Sequence, residues 1–452
     1  MIGNLLLFLS TAQAAGYYVT GVGIRGMGRA GAVVAGIDDL SAQYHNPAAL
    51  IRLDRQVTLQ FAGVHQNVTF DREDEADLAF DPVSNSAPPM PIPALGAAWH
   101  LPGPDLTVAL GLYTPYAPYY TYPEDGPQRF TMTDISLLSA YAGPSVAWRP
   151  IDGLTLGLGV AATMLQIDQG LVTHVAPATF EATDEPEYDV NTRISVRDPF
   201  RITWNAGLLY EPGDKWAVGV SVVPPIRYQA SGSLTSDFSN NVYYTGESPF
   251  GQVLASSSAS DDDVQLAITM PAIFRAGVLV RPSEGTELEV DVAWERWSAM
   301  QSLTVTGVDL TIETTSEEDA RVQDDVAFPL LMQDAWSLRI GGQKSLSDRV
   351  MGRAGLLGET SGVSAQYRSV LMPDGLQVGY GLGLTWWAIP DKLALDFGGG
   401  QRFLLPSTLN NAQVYQVQID PLSGVVLPGK SVGDGEISAM TNLFGLGLNW
   451  TL

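Results

Sequence analysis

Few side chains in this sequence are equipped for chemistry. There are four histidines (His45, His65, His100 and His174) and no cysteine, which removes thiol nucleophiles, thiolate metal sites and disulfides and leaves little for imidazole-based metal binding or acid–base work. No G-x-S-x-G nucleophile motif is present, so no catalytic residue, metal or cofactor is expected. Two overlapping G-x-G-x-x-G patterns, Gly21–Gly26 and Gly26–Gly31, have the glycine spacing of a dinucleotide loop. That loop needs a preceding strand and a following crossover. Neither is at hand, so these glycines are read as allowing tight packing. The balance of 24 Lys+Arg against 49 Asp+Glu gives a net charge of −25, which excludes nucleic acid as a partner.

The elements that would position any site come from hydrophobic patterning. The chain is 45% hydrophobic and only 16% charged, yet it lacks the run of ~18 apolar residues that a membrane helix requires. Instead it alternates. Leu154, Leu156, Leu158 and Val160 interleave with Thr155, Gly157 and Gly159, and Val378, Tyr380, Leu382, Leu384 and Trp386 interleave with Gly379, Gly381, Gly383 and Thr385. Each such segment reads as a strand with one apolar face and one small or polar face. Short turns, such as Pro150-Ile151-Asp152-Gly153 and Pro282-Ser283-Glu284-Gly285, alternate with long polar connections near 66–92, 114–134, 168–197, 232–263, 305–333, 361–375 and 406–436. That alternation predicts an all-β, 14-stranded antiparallel up-and-down transmembrane β-barrel over residues 56–452. Trp99, Trp148, Trp216, Trp386, Trp387 and Trp450 are expected at the short-turn end, and Trp204, Trp294, Trp297 and Trp336 at the other, as two interfacial girdles.

Residues 1–14 read as a secretory signal ending at Ala12-Gln13-Ala14. Residues 15–55 fit neither pattern and precede the first strand. A fourteen-stranded lumen is too wide for side chains to fill, so this segment is expected to be a small N-terminal hatch, or plug, inside it. The last strand ends Gly447-x-x-Trp450-x-Leu452, which resembles the C-terminal signal read by the outer-membrane assembly machinery. A monomer in the outer membrane of a Gram-negative bacterium, in contact with outer-membrane lipid and lipopolysaccharide, is the expected setting. The acidic runs Asp261-Asp262-Asp263 and Glu317-Glu318-Asp319 are read as solvated extracellular surface. Inward charges at Glu289, Asp291, Arg339, Arg353 and Asp396 are expected to pair across neighbouring strands.

In Ala15-Gly16-Tyr17, Gly28-Arg29-Ala30, Asn46-Pro47-Ala48, Gly111-Leu112-Tyr113-Thr114-Pro115-Tyr116, Pro144-Ser145-Val146-Ala147-Trp148-Arg149, Trp294 with Trp297-Ser298, and Asp334-Ala335-Trp336-Ser337-Leu338-Arg339, the sequence resembles the FadL/TodX family of outer-membrane transporters for long-chain fatty acids and other hydrophobic compounds. The resemblance implies capture of an apolar molecule by outer loops, transfer to an internal pocket, and sideways release into the membrane after hatch movement. Tyr116, Tyr119, Tyr120, Tyr122 and Phe130 are the candidates for the outer groove. Tyr17, Asn46, Pro47, Ala48 and His174 are the candidates for the inner pocket and hatch. Thr114 and Pro115 are the candidates for a lateral-exit kink, because proline cannot donate to a strand ladder. Residues 166–175, just where fatty-acid carriers of the family place a basic side chain, hold only His174. Burying a carboxylate without a partner is costly, so neutral aromatic hydrocarbons stand as the alternative cargo, and a porin for polar solutes as a weaker one.

Overall fold

A computed structural model describes residues 22–75, 78–323 and 325–452, with the backbone of Gln13–Ala14. Tyr17, expected at the inner pocket, and residues 1–12 of the expected export signal lie outside the described residues. Fourteen strands form the ring: Gln56–Arg72 (β1), Met90–Leu101 (β2), Leu106–Tyr116 (β3), Asp134–Ile151 (β4), Leu154–Val175 (β5), Asp189–Tyr210 (β6), Trp216–Val223 with Ile226–Asp237 (β7), Ser258–Met270 with Ile273–Ser283 (β8), Thr286–Glu295 (β9), Ala335–Ser347 (β10), Val350–Glu359 (β11), Gln377–Ile389 (β12), Leu393–Leu409 (β13) and Gly435–Thr451 (β14). Each pairs antiparallel with the next. The ring closes through an unbroken β1–β14 register from Gln56↔Thr451 to Arg72↔Gly435. Closure pairs the edge strands with each other, the condition for backbone to sit in hydrocarbon.

The period-2 alternation sets the two faces. On β1, Val57, Leu59 and Phe61 are exposed on the outside, while Thr58 and Gln60 are buried on the inside. Outward Trp99, Trp148, Trp216, Trp386 and Trp450 mark the short-turn end, and Trp204 and Trp336 the other. Trp297 departs from the expected girdle. It is fully buried inside the ring, edge-on to Tyr116 with ring centroids 6.4 Å apart, and its Nε1 donates to Glu295 at 2.9 Å. The cause is local: the chain leaves the ladder after Glu295 in a single 3₁₀ turn, Trp297–Ala299, that carries the indole inward.

Residues 22–53 lie inside the ring. They comprise a short helix, Ile24–Gly28 (α1), a second, Ala42–His45 (α2), and the 3₁₀ turn Pro47–Arg52, and almost every residue among them is buried. Their backbone approaches the strands closely enough to forbid side chains on the wall. A Cβ at Gly157 would come within 2.1 Å of Ala48 N, and one at Gly381 within 2.1 Å of Met27 O. The extracellular half of the bore is filled differently, by one large apolar cluster. It includes Leu165, Tyr228, Leu266, Val305, Leu310 and Met372, drawn from the strands and from the loops folded over them.

We expect Gly381→Val to destabilise the folded barrel by about 3 kcal/mol or more, because overpacking here meets backbone that cannot rotate away. The neighbouring lipid-facing Leu382→Val should cost less than half of that. The temperature at which the compact form is lost on unheated versus heated electrophoresis distinguishes the two.

Candidate functional site: a tyrosine-lined chamber above the N-terminal segment

Two carboxylates on β9 anchor the inner segment. Glu289 accepts the N–H groups of Ala35 and Gly36 on one oxygen (2.6 and 3.2 Å) and Arg29 Nη2 on the other (2.5 Å). Asp291 Oδ2 accepts Val33 N and Val34 N at 2.5 and 2.9 Å. The four consecutive N–H groups of this turn therefore end on strand carboxylates, which are buried and cannot turn to water. Four strands further round, on β13, Arg25 donates to Asp396 (3.0 Å) and also pairs with Asp38 of the inner segment (3.2 Å). The expectation of cross-strand pairing is thus corrected for Glu289 and Asp291, whose partners come from the inner segment, while Asp396 takes Arg25 from that segment and also accepts Thr385 Oγ1 on β12 and Asn449 Nδ2 on β14 (2.6 Å). It holds for Arg339, which pairs with Glu359 on β11 at 3.1 Å. Arg353 divides its contacts between Gln343 and Thr385 on adjacent strands and Asp38 at 3.8 Å.

Asn46, Pro47 and Ala48 serve that attachment and are not among the residues that line the chamber beyond them. Asn46 Oδ1 caps the 3₁₀ turn by accepting Ala48 N (3.1 Å), and its amide donates to Val34 O (2.8 Å) and Leu208 O (3.2 Å). Proline at the first position of the turn has no N–H to leave unsatisfied. Directly beyond, Gln43 and Tyr44 form the floor of a chamber inside the barrel. Tyr113, Tyr116 and Tyr141 line one side, Thr203 and Asn205 another, and Val223, Ile226 and Met270 a third. Tyr44 and Tyr113 have ring centroids 5.6 Å apart, and Tyr113 stacks on Tyr141 at 5.5 Å. No charged side chain is in the lining. Arg275 lies behind the floor, its guanidinium 4.6 Å from the Tyr44 ring centroid.

The chamber wall is interrupted in two places. The β2–β3 ladder stops at Leu95↔Leu112, and β3 slips register against β4 between Tyr113 and Tyr116, across Thr114 and Pro115. Pro91 and Pro93 on the facing stretch of β2 likewise lack an N–H. Behind this gap is a second cavity, lined by Val22, Gly23, Leu40, Ala94 and Tyr113. The second interruption separates β6 from β7. Pairing runs from Val218↔Tyr210 to Val222↔Ala206, lapses, and resumes in the same register at Ser231↔Arg197. Pro224-Pro225 sits within the lapse, and Thr203, Trp204, Asn205, Val223 and Ile226 on its two edges all line the chamber.

The expected outer groove is arranged differently. Tyr116 lines the chamber, Tyr119 is half-buried, and Tyr120, Tyr122 and Phe130 are buried in the packing beneath the loops. Burial follows because the loop folds back over the bore, where Tyr120 and Tyr122 join the apolar cluster. His174 is at the extracellular end of β5, next to Tyr188 (5.4 Å between ring centroids) and far along the strand from Gly159 and Ala161, which line the chamber. Of the expected site residues, Pro115 and Tyr116 border the chamber. Gln43, Tyr44, Tyr113, Tyr141 and Asn205 were not anticipated, and the mid-strand prolines 224, 225 and 271 are the sequence signal that marks this wall as irregular.

Over the loops, buried Asp184 takes both arms of Arg72 (2.7 and 3.0 Å) and Lys430 (2.8 Å), and Glu75 joins the same pair of cations. This ties three extracellular connections together. Burial alone would raise the Asp184 carboxyl, but hydrogen bonds from Arg72 and Lys430 outweigh it and hold the group below the usual range.

The model for outer membrane protein transport proteins (OMPP1/FadL/TodX) matches residues 5–446, and the chain belongs to that family of the outer membrane. A long-chain fatty acid transport protein of Escherichia coli O6:H1 is 23% identical over 425 residues, 87% of each chain. A Pseudomonas aeruginosa FadL homologue superposes with a TM-score of 0.76 at 18% identity, over 97% of this chain and 100% of that one. The P. putida toluene transporter TodX gives 0.66 at 14% identity, over 96% and 99%. The chain shares its fold with these structures.

Replacing both anchors, Glu289→Gln with Asp291→Asn, removes the nearest charge facing buried Arg29 and leaves Glu287 at 3.6 Å, a change worth about 3 kcal/mol. We expect the double variant to show raised and fluctuating ionic conductance in planar bilayers, against a quiet unaltered protein. At the outer clasp, a carboxyl held low contributes stability at neutral pH and loses it as pH falls below ~4 towards its depressed value. Asp184→Asn should therefore reproduce at pH 7 the increased mobility of a spin label attached at Ala182 that the unaltered clasp shows only in acid.

Proposed function

We propose that this protein takes up neutral hydrophobic small molecules through the outer membrane, with residues 22–53 acting as the hatch that closes the bore. The chamber carries the reading: a space inside the barrel walled by tyrosines, Trp204 and aliphatic side chains, with amide and hydroxyl groups but, among the described residues, no formal charge. Such a site gains from burying apolar area at roughly 25 cal/mol per Å² and orients an aromatic cargo by ring stacking. Water-filled porin behaviour requires an open path, which the inner segment and the apolar cluster occupy. Release sideways, through the break beside Thr114 and Pro115, keeps an apolar cargo out of water throughout.

A second reading, a fatty-acid cargo, is favoured by one feature. Arg275 sits beneath Tyr44, and a swing of that ring would bring a guanidinium to the chamber floor. The two readings separate in a binding titration on purified protein. Toluene or another uncharged aromatic should quench chamber fluorescence with higher affinity than dodecanoate at pH 8, and Tyr113→Ala should weaken that affinity about three- to tenfold. Dodecanoate binding more tightly, with loss of that preference in Arg275→Gln, would establish the acid as cargo instead.

A further inference from the structure

Basic residues are scarce here, 24 in 452 positions, and their placement on the outside of the barrel is lopsided. Arg197 on β6, Arg227 on β7 and Arg296 just after β9 are exposed, and Arg201 on β6 is partly so. They sit on one flank, towards the outer ends of neighbouring strands. The register that continues from Ala206↔Val222 to Arg197↔Ser231 sets Arg197 opposite Ser231, four residues further out than Arg227. Arg227 pairs with Thr269 on β8, and Arg296 N bonds to Ala272 O on the same strand. Among the described residues, no lysine or arginine faces outward towards the outer ends of β1–β4 or β10–β14. Arg193, one step above Arg197, is already held by both oxygens of Asp134, and Arg201 by Asp198 at 2.6 Å.

Immediately towards the membrane from these arginines the surface turns apolar and aromatic. Phe200, Ile202 and Trp204 on β6 are exposed, as is Phe274 on β8, stacked on Trp294 at 5.2 Å. A cationic band resting on an aromatic girdle is the boundary between headgroup and acyl chain. In a protein of charge −25, it is the one place on this face where a phosphate would be attracted and not repelled. Guanidinium groups match phosphate in geometry.

We propose that Arg197, Arg227 and Arg296 form a binding site for the phosphate groups of a phosphorylated outer-leaflet glycolipid, the lipid A part of lipopolysaccharide, whose acyl chains lie against Phe200, Ile202, Trp204 and Phe274. The apolar shelf beneath the cations selects a lipid-borne phosphate over the free ion. The site is distinct from the cargo chamber, since Arg197 and Arg227 alternate with buried neighbours and point away from the bore.

The test compares purified protein with Arg197→Gln/Arg227→Gln/Arg296→Gln, and with Lys344→Gln/Arg349→Gln/Lys392→Gln, a matched charge change at the short-turn end. Binding of lipid A, of enzymatically dephosphorylated lipid A and of inorganic phosphate is measured by native mass spectrometry and microscale titration, with magnesium chelated. Lipid A should bind the unaltered protein and the short-turn variant alike, and bind the arginine variant at least about tenfold more weakly. Dephosphorylated lipid A should bind all three weakly, and inorganic phosphate none. Equal lipid A affinity in the arginine variant, or equal affinity for the dephosphorylated lipid, would overturn the proposal, and so would tight binding of inorganic phosphate. Toluene binding measured on the same samples reports separately on the cargo reading and on folding.

Discussion

Hydrocarbon offers no partner for a peptide N–H or C=O, and that constraint governs this molecule. It forces every spanning strand to bond on both sides, so the sheet must return on itself, as β1 and β14 do over their whole shared length. Fourteen strands then enclose a bore wider than wall side chains can fill. The same chain fills it, but with different chemistry in its two halves. The half nearer the short turns holds a folded segment with many polar groups to satisfy, and the strands supply carboxylates, amides and hydroxyls for them. The extracellular half holds loop side chains, and the strands there turn mostly Leu, Val, Ile and Tyr inward.

The chamber lies where those two fillings meet. Tyr44 belongs to the inner segment and Tyr141 to the wall above it, and Tyr113 stands between them. The wall here is also the least regular part of the ring, with proline in β2, β3, β7 and β8. Strain of this kind would be costly in hydrocarbon if the freed backbone groups faced lipid. Here the breaks back onto internal cavities lined by side chains able to hydrogen-bond, the circumstance in which irregular backbone is tolerated at membrane depth.

Much of the architecture could be read from periodicity. Strand number, closure, the short-turn end and most of the tryptophan girdles follow from a spacing of two and from Gly, Pro and Asp at the turns. What periodicity misses is direction changes off the ladder. Trp297 looks like its neighbours Trp294 and Trp336 in sequence, yet one 3₁₀ turn sends it inward. The aromatic run from Tyr116 to Phe130 has the composition of an exposed groove, but exposure depends on how far the loop folds back, which no local pattern encodes. Glu289 and Asp291 show the same limit. Alternation places them on the inner face, but only the fold says that their partners are backbone N–H groups more than two hundred and fifty residues earlier.

The central claim is that cargo occupies the space bounded by Tyr44, Tyr113 and Tyr141, above an inner segment that stays in place. A crystal structure of the protein with a brominated benzene diffused in, recorded at the bromine edge, tests it most directly. The account predicts an anomalous peak among those three rings with residues 22–53 still seated on Glu289 and Asp291. Bromine found only among the outer loops, or an inner segment absent from the bore of the unliganded protein, would contradict it.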